Sequence, residues 1–232
     1  MERMKLTARL QAIYDATLKW RNLDCKGRLI DVGSDHGYVS LEGLITGDYE
    51  FVVATDIHEN PAAKTAEILA INGYKDKSLV VCTDGLNGVD LKSGDVVIMA
   101  GLGGNNMMDI LERVMKVTSP DILKTVTWCL QPQKTIEQLR VFLEKNGFRI
   151  KDDTVVCERN IYYPITVAVY EGGSRDINLY EKYYGPVMIS KFEAGEPIVK
   201  EYFEKLDGWY KVRARGDEEI LLMIQKLEEY RK

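Results

Sequence analysis

The stretch "LIDVGSDHGYVS", residues 29–40, places two acids, two serines, a histidine and two glycines in and behind a short apolar run. A buried strand that breaks into a glycine turn can cradle a nucleotide, because glycine lets the backbone approach a ligand and the following helix offers free amides. A dinucleotide cradle uses G-x-G-x-x-G, whereas the order here is Gly33-Ser34-Asp35-His36-Gly37, with no middle glycine. Asp35 would sit close to a pyrophosphate, a like-charge conflict that costs several kcal/mol in a poorly solvated turn. A cationic ligand reverses that sign. S-adenosylmethionine carries a sulfonium and an amino group and no phosphate, so an acid in the turn tilts the choice toward a methyl donor and away from NAD.

Three further strand ends carry polar or glycine signals. "FVVATD" closes on Asp56 and runs into Ile57, "LVVCTD" closes on Asp84 followed by Gly85 and Leu86, and "DVVIMAG" runs through Ala100 and Gly101 to Gly103 and Gly104. In an open α/β sheet, ligands bind outside the carboxyl ends of the strands where strand order reverses, so all four ends should line one edge. Asp56 can accept two hydrogen bonds from ribose hydroxyls, in NAD and S-adenosylmethionine alike. Asp84 is placed to meet an adenine amine, with Leu86 against the ring. The alternative for Asp56 and Asp84 is that each only caps the segment that follows.

The elements that must carry these residues follow from periodicity. "LTARLQAIYDATLKW" puts Leu6, Leu10, Ile13 and Thr17 on one helical stripe. Short apolar strands then alternate with helices through five units, which predicts an α/β, Rossmann-like sheet, mostly parallel with right-handed crossovers. Pro61 is expected to open the helix "PAAKTAEILAI". "RIKDDTVVCERN" and "IYYPITVAVYE" follow one another with no helix between, so the sheet should end in an antiparallel hairpin. After Glu171, "GGSRD" reads as a joint and strand signals stop. Two antiparallel helices are expected at 197–215 and 217–231, a small coiled-coil-like unit. The domain division is therefore 1–171 and 172–232.

The chain has 232 residues, 45% hydrophobic, with a formal net charge of −5. That is enough to bury a core and argues against a generic nucleic-acid coat protein. Residues 1–30 nonetheless hold seven basic residues, including Arg3, Arg9 and Lys26, against the three acids Glu2, Asp15 and Asp24. No apolar run reaches the length of a membrane span and no secretory signal is visible, so a cytoplasmic protein is expected. Cys25, Cys82, Cys129 and Cys157 form no C-x-x-C pair, which predicts reduced thiols and no metal site.

In this order, "RLIDVGSDHGYVS", "MAGLGG", "LQPQ…QLRVFLEKNGFRI" and "YYPITVAVY" resemble the bacterial tRNA (adenine-N1)-methyltransferases of the TrmK type. The resemblance covers nearly the whole chain. It departs from the family's D-H-A-Y-L-P at "DHGYVS", and has Leu102 where methionine is usual in A-G-M-G-G. It implies a class I methyltransferase domain followed by a helical domain, acting on adenine 22 of the tRNA D-arm. It also implies S-adenosylmethionine held by Asp31, Gly33, Ser34, Asp35, His36, Asp56, Asp84 and the 100–104 loop. Adenine N1 has a free lone pair and needs no base, but its methylated ring is cationic. Asp35 is the candidate to stabilise that charge, with His36 and Tyr38 as pocket walls or hydrogen-bond partners. The alternative for His36 is to brace the turn. The tRNA is expected to meet the N-terminal basic stretch and a tail face bearing Lys205, Lys211, Arg213 and Arg215, while Tyr202, Phe203, Trp209 and Tyr210 are expected to pack helices. A monomer is the expected state. Rival readings are a class I methyltransferase acting on a small molecule or protein, a dinucleotide-dependent oxidoreductase, and a non-catalytic RNA-binding module.

Overall fold

The computed structural model describes residues 5–23 and 27–230, without the side chains of 228–230. Glu2, Arg3, Asp24, Cys25 and Lys26 lie outside the described residues. The strands β1 (Leu29–Val32), β2 (Val52–Asp56), β3 (Ser78–Cys82), β4 (Val96–Leu102), β5 (Thr127–Pro132), β6 (Phe148–Glu158) and β7 (Ile161–Tyr170) form one sheet, in the order β3-β2-β1-β4-β5-β7-β6. β1–β5 are parallel, and β7, inserted between β5 and β6, runs antiparallel to both. Every residue of β1, β2 and β5 is buried, as parallel strands with two covered faces require.

The helices α1 (Ala8–Trp20), α2 (Tyr38–Ile45) and α3 (Glu59–Ile71) cover one face, where Ile13, Leu44 and Leu69 pack on Leu29, Val52 and Ile98. The opposite face carries α4 (Gly104–Val117), the short α5 (Pro120–Leu123) and α6 (Ile136–Lys145). There Met107, Leu111 and Leu143 pack on Ile30, Val97 and Trp128. Thr7 caps α1 by accepting from Leu10 N. α3 begins at Glu59, two residues before Pro61, because an amide in the first helical turn has no intrahelical partner and proline loses nothing there.

The terminal hairpin turns on Arg159 and Asn160, both left-handed (φ 51° and 64°), the two-residue turn whose twist suits paired strands. A bulge between Ile150 and Asp152 shifts the β6 register, so that Asp152 and Asp153 are both buried. Lys19 (2.6 Å), Trp20 and Lys191 all donate to Asp152. Asp153 accepts from Thr166 Oγ1 at 2.6 Å and faces Arg140 at 4.0 Å.

The tail is four helices rather than two: α7 (Leu179–Tyr184), α8 (Pro186–Glu193), α9 (Pro197–Arg213) and α10 (Glu218–Tyr230). The two extra helices span six and eight residues, too short for a periodic stripe to stand out. α7 forms through a reciprocal cap between Asn178 and Glu181. At Gly185 (φ 91°) the chain passes directly over the buried ion pair, and a Cβ there would lie 2.6 Å from Asp153 Oδ2 and 2.8 Å from Arg140 Nη2. Arg140 Nη1 donates to the carbonyls of Tyr183 (3.1 Å) and Lys182 (3.3 Å). The helical layer is thus tied to the sheet by charge as well as by its own aromatic core around Tyr184, Phe203 and Tyr210.

Among the described residues no helix is long and apolar enough to cross a membrane, and no group of three metal-ligating side chains occurs. Removing one partner of a buried ion pair strands the other charge. Arg140→Ala should therefore lower unfolding free energy by about 3–5 kcal/mol in urea titrations. The double variant R140M/D153N, which strands no charge and keeps an acceptor for Thr166, should lose distinctly less.

Candidate active site

β1 pairs with β2 on one side and with β4 on the other. The chain leaves β1 for α2 on one face and leaves β4 for α4 on the opposite face, so the two connections diverge and open a crevice. A cavity of about 460 Å³ lies there, within the usual size for a small-molecule site.

Asp31, at the third position of β1, faces the α2 side and is buried, accepting a 2.7 Å hydrogen bond from Ser40 Oγ. Burial, with Asp56 adding to it, pushes its carboxyl up to about 6. The turn after β1 holds Gly33 (φ 74°) and Asp35 (φ 50°) in the left-handed region. Asp35 pays for that strain with contacts: its amide donates to Asp56 Oδ2 (3.2 Å), and its carbonyl accepts from Thr65 Oγ1 (3.1 Å). At Gly37 (φ 67°), which precedes α2, an added Cβ would fall 2.7 Å from Thr65 Cγ2, so α3 closes tightly on the turn.

Asp56, at the end of β2, is nearly buried, with Oδ1 accepting from His58 N at 3.0 Å. Its carboxylate is therefore aimed by two backbone amides. Asp84 sits at the mouth, bound to Arg113 of α4 at 2.6 Å, which holds its carboxyl below the usual carboxylate range. The Asp35 side chain is 73% exposed. His36 Nε2 lies 3.7 Å from Asp35 Oδ1, and the His36 ring stacks on Tyr38 at 5.4 Å between centroids.

Of the residues expected at the site, Asp31, Gly33, Ser34, Asp35, His36, Tyr38, Asp56, Ile57, Asp84, Gly85, Ala100 and Gly101 line this one cavity. Leu86, Gly103 and Gly104 stand back from it. Leu86 is buried in the sheet core, and Gly103 precedes α4 as its cap. Gly104 N donates to Lys134 O, and a Cβ on Gly104 would meet Thr135 O at 2.7 Å, so this glycine serves a close backbone approach. Ala100–Leu102 form the bulged end of β4 rather than a free loop, with Gly101 at φ 77°.

The structure adds residues that strand-end reasoning missed. Arg9 from α1 lines the cavity and donates to Gln131 Oε1 at 3.1 Å, and Gln133 and Asn106 also line it. "LQPQ" was the available signal for the glutamines. Arg9 reads in sequence as one cation on a solvated helix face, and only folding brings it to the end of β4.

With Asp84 paired to Arg113, the carboxylates Asp31, Asp35 and Asp56 still outnumber the one lining arginine, Arg9, so this cavity is a poor receptor for a diphosphate and a fitting one for a cationic ligand. Buried Asp31 matches an amino group, and two open glycine-bearing loops admit the body of a nucleoside.

Fold and crevice together define an α/β enzyme that holds a nucleoside-like ligand in an acidic cradle. Residues 6–166 match the methyltransferase domain family, and the chain belongs to it. It is similar to the tRNA (adenine(22)-N(1))-methyltransferase of Bacillus subtilis, at 26% identity over 177 residues, 76% of this chain and 69% of that protein. The crystal structure of the B. subtilis M1A22 tRNA methyltransferase TrmK matches with a TM-score of 0.76 at 21% identity, covering 97% of this chain and 96% of that one. Sp1610 of Streptococcus pneumoniae, solved in complex with S-adenosyl-L-methionine, matches with a TM-score of 0.78 at 23% identity, covering 97% and 99%. The two solved structures share the Rossmann-like sheet and the C-terminal helices with this chain.

Ionised Asp31 is penalised only in the folded chain, since its carboxyl rises from 3.8 to about 6 on folding. Its effect on stability is absent below pH 3.8 and grows unfavourable as pH rises through 6, reaching on the order of 3 kcal/mol. Asp31→Asn removes that penalty. The ligand-free variant should be more stable than the native chain at pH 8, and the gap should shrink toward pH 5 in paired urea titrations.

Proposed function

We propose that this protein transfers the methyl group of S-adenosylmethionine to N1 of an adenine in tRNA, at position 22 of the D-arm. The observation that carries the reading is the acid-lined cavity at the strand-order reversal in a chain of the methyltransferase domain family. The similarity to a tRNA (adenine(22)-N(1))-methyltransferase supports the substrate.

S-adenosylmethionine, when bound, supplies an electrophilic methyl group on a cationic sulfur. The protein's part is to hold, orient and neutralise. Asp31, braced by Ser40, takes the amino group. Asp56, aimed by the amides of Asp35 and His58, keeps lone pairs for the ribose hydroxyls. The Asp84–Gly85 segment meets the adenine of the cofactor at the mouth, and Ala100 and Gly101 allow close backbone approach. The target N1 brings its own lone pair, so no side chain is assigned as a base. Presenting that atom in line with the methyl group is the main source of rate. Asp35 supplies a negative charge as the ring becomes cationic, and the stacked His36 and Tyr38 wall the entry. Residues 1–171 form the cofactor-binding unit, and 172–232 add RNA-binding surface. Within the latter, Lys205, Lys211 and Arg215 are exposed and Arg213 reaches Glu137 at 3.4 Å.

The test is mass spectrometry of nucleosides after incubation with S-adenosylmethionine and unmodified tRNA. The expected product is 1-methyladenosine, lost when adenine 22 is replaced. Tight NADH binding without S-adenosylmethionine binding in calorimetry would overturn the reading. Asp56→Ala should weaken S-adenosylmethionine binding by on the order of 100-fold, because hydrogen bonds to a carboxylate are lost. Asp35→Asn should lower kcat by roughly 100-fold while changing cofactor Kd little.

A further inference from the structure

α9 buries one stripe and exposes another. Tyr202, Leu206 and Tyr210, four residues apart, point into the helical core, together with Phe203. Trp209, expected to pack with them, is 71% exposed. It lines a second cavity of about 730 Å³, between the β5–α6 loop, the start of β7 and α9. An exposed tryptophan in a groove is informative in a way that a scattered surface leucine is not.

The charge of the groove is the second observation. Its one carboxylate among the described residues, Glu137, already accepts from Arg213 and from Tyr210 Oη. Lys134 and Lys205 make no ion pair among the described residues, and Lys205 Nζ lies 4.8 Å from the Tyr162 ring centroid. A groove with surplus positive charge on a chain of net charge −5 selects a polyanion.

Continuity with the catalytic cavity is the third. Gln133 lines both. Arg9, from the catalytic side, lies over the ring of Tyr163, which lines the groove, at 5.4 Å. A base that leaves its helix to reach the crevice gives up its own stacking, and its neighbours lose the partner they stacked on. Single-stranded nucleotides are held by aromatic faces with cations along the backbone.

We propose that this groove holds an unstacked nucleotide of the RNA substrate adjacent to the target adenine, with its base on Trp209 and its phosphates at Lys134 and Lys205. The assignment rests on the tRNA reading above and adds to it a second subsite that compensates the cost of extrusion.

The experiment uses the full chain and an in vitro transcribed tRNA carrying adenine 22. Trp209→Ala should raise the KM for tRNA roughly tenfold, the scale of one lost base–aromatic stack. It should leave S-adenosylmethionine Kd unchanged, and Trp209→Phe should restore most of the affinity. Titrating tRNA should quench the tryptophan fluorescence of the native chain, and Trp209→Ala should lose that quench. The variant K134E/K205E should also raise KM and flatten its dependence on salt. A native chain that methylates tRNA alongside a W209A variant with unchanged tRNA KM overturns this proposal alone, and turns the groove over to a protein partner. A native chain that methylates no tRNA overturns both this proposal and the substrate reading.

Discussion

A carboxylate removed from water at the point where strand order reverses sets the electrostatic character of the crevice. Among the described residues, no arginine or lysine pairs with Asp31. Its side-chain partner among the described residues is Ser40, and its neighbour Asp56 is another acid. Such a group costs stability in the empty protein and is relieved by a cation. The parallel pairing of β1 with both β2 and β4 creates this situation. It buries the strand on both faces and still leaves its carboxyl end open between diverging loops. Ligand selectivity and the destabilisation of the empty fold are then two consequences of one placement.

The rest of the site is built to keep that end open and rigid. Glycines in left-handed conformation at 33 and 37, and the glycine bulge at 101, turn two chain segments sharply at the ends of β1 and β4. Thr65 from α3 presses against the first turn, and the Lys134 carbonyl of the β5–α6 loop holds Gly104 at the start of α4. Asp35 occupies a backbone region that disfavours side chains, and the amide it presents to Asp56 is what that strain provides. Precision of this kind suits a reaction in which placement does most of the work.

Charge is also divided across the molecule. The catalytic cavity is acidic and the neighbouring groove is basic, with Arg9, Gln131, Gln133 and Tyr163 along the seam. The helical layer that supplies α9 is held in register by the Arg140–Asp153 pair and by Lys191 on Asp152. These contacts come from a sheet bulge and a glycine corner, features that serve position more than stability.

The strands, the longer helices of the first 170 residues and the terminal hairpin are legible in the chain because each has a local cause: apolar runs, helical stripes and glycine or proline stops; four-residue α5 is not. The acids at the strand ends are legible for the same reason, since a strand's last residue and the turn after it are neighbours in sequence. Short α7 and α8 were not, because six or eight residues make too few turns for a pattern. Nor was the burial of Asp152 and Asp153, which look like a surface pair until a one-residue bulge reorients them. Arg9, 122 residues from Gln131, and Trp209, one step outside the buried stripe of its helix, gained their positions only from long-range packing. The sequence by itself determined which elements form and which residues end them. The tertiary structure alone decided which of those ends meet, because strand order and helix docking depend on contacts between residues that share no local pattern.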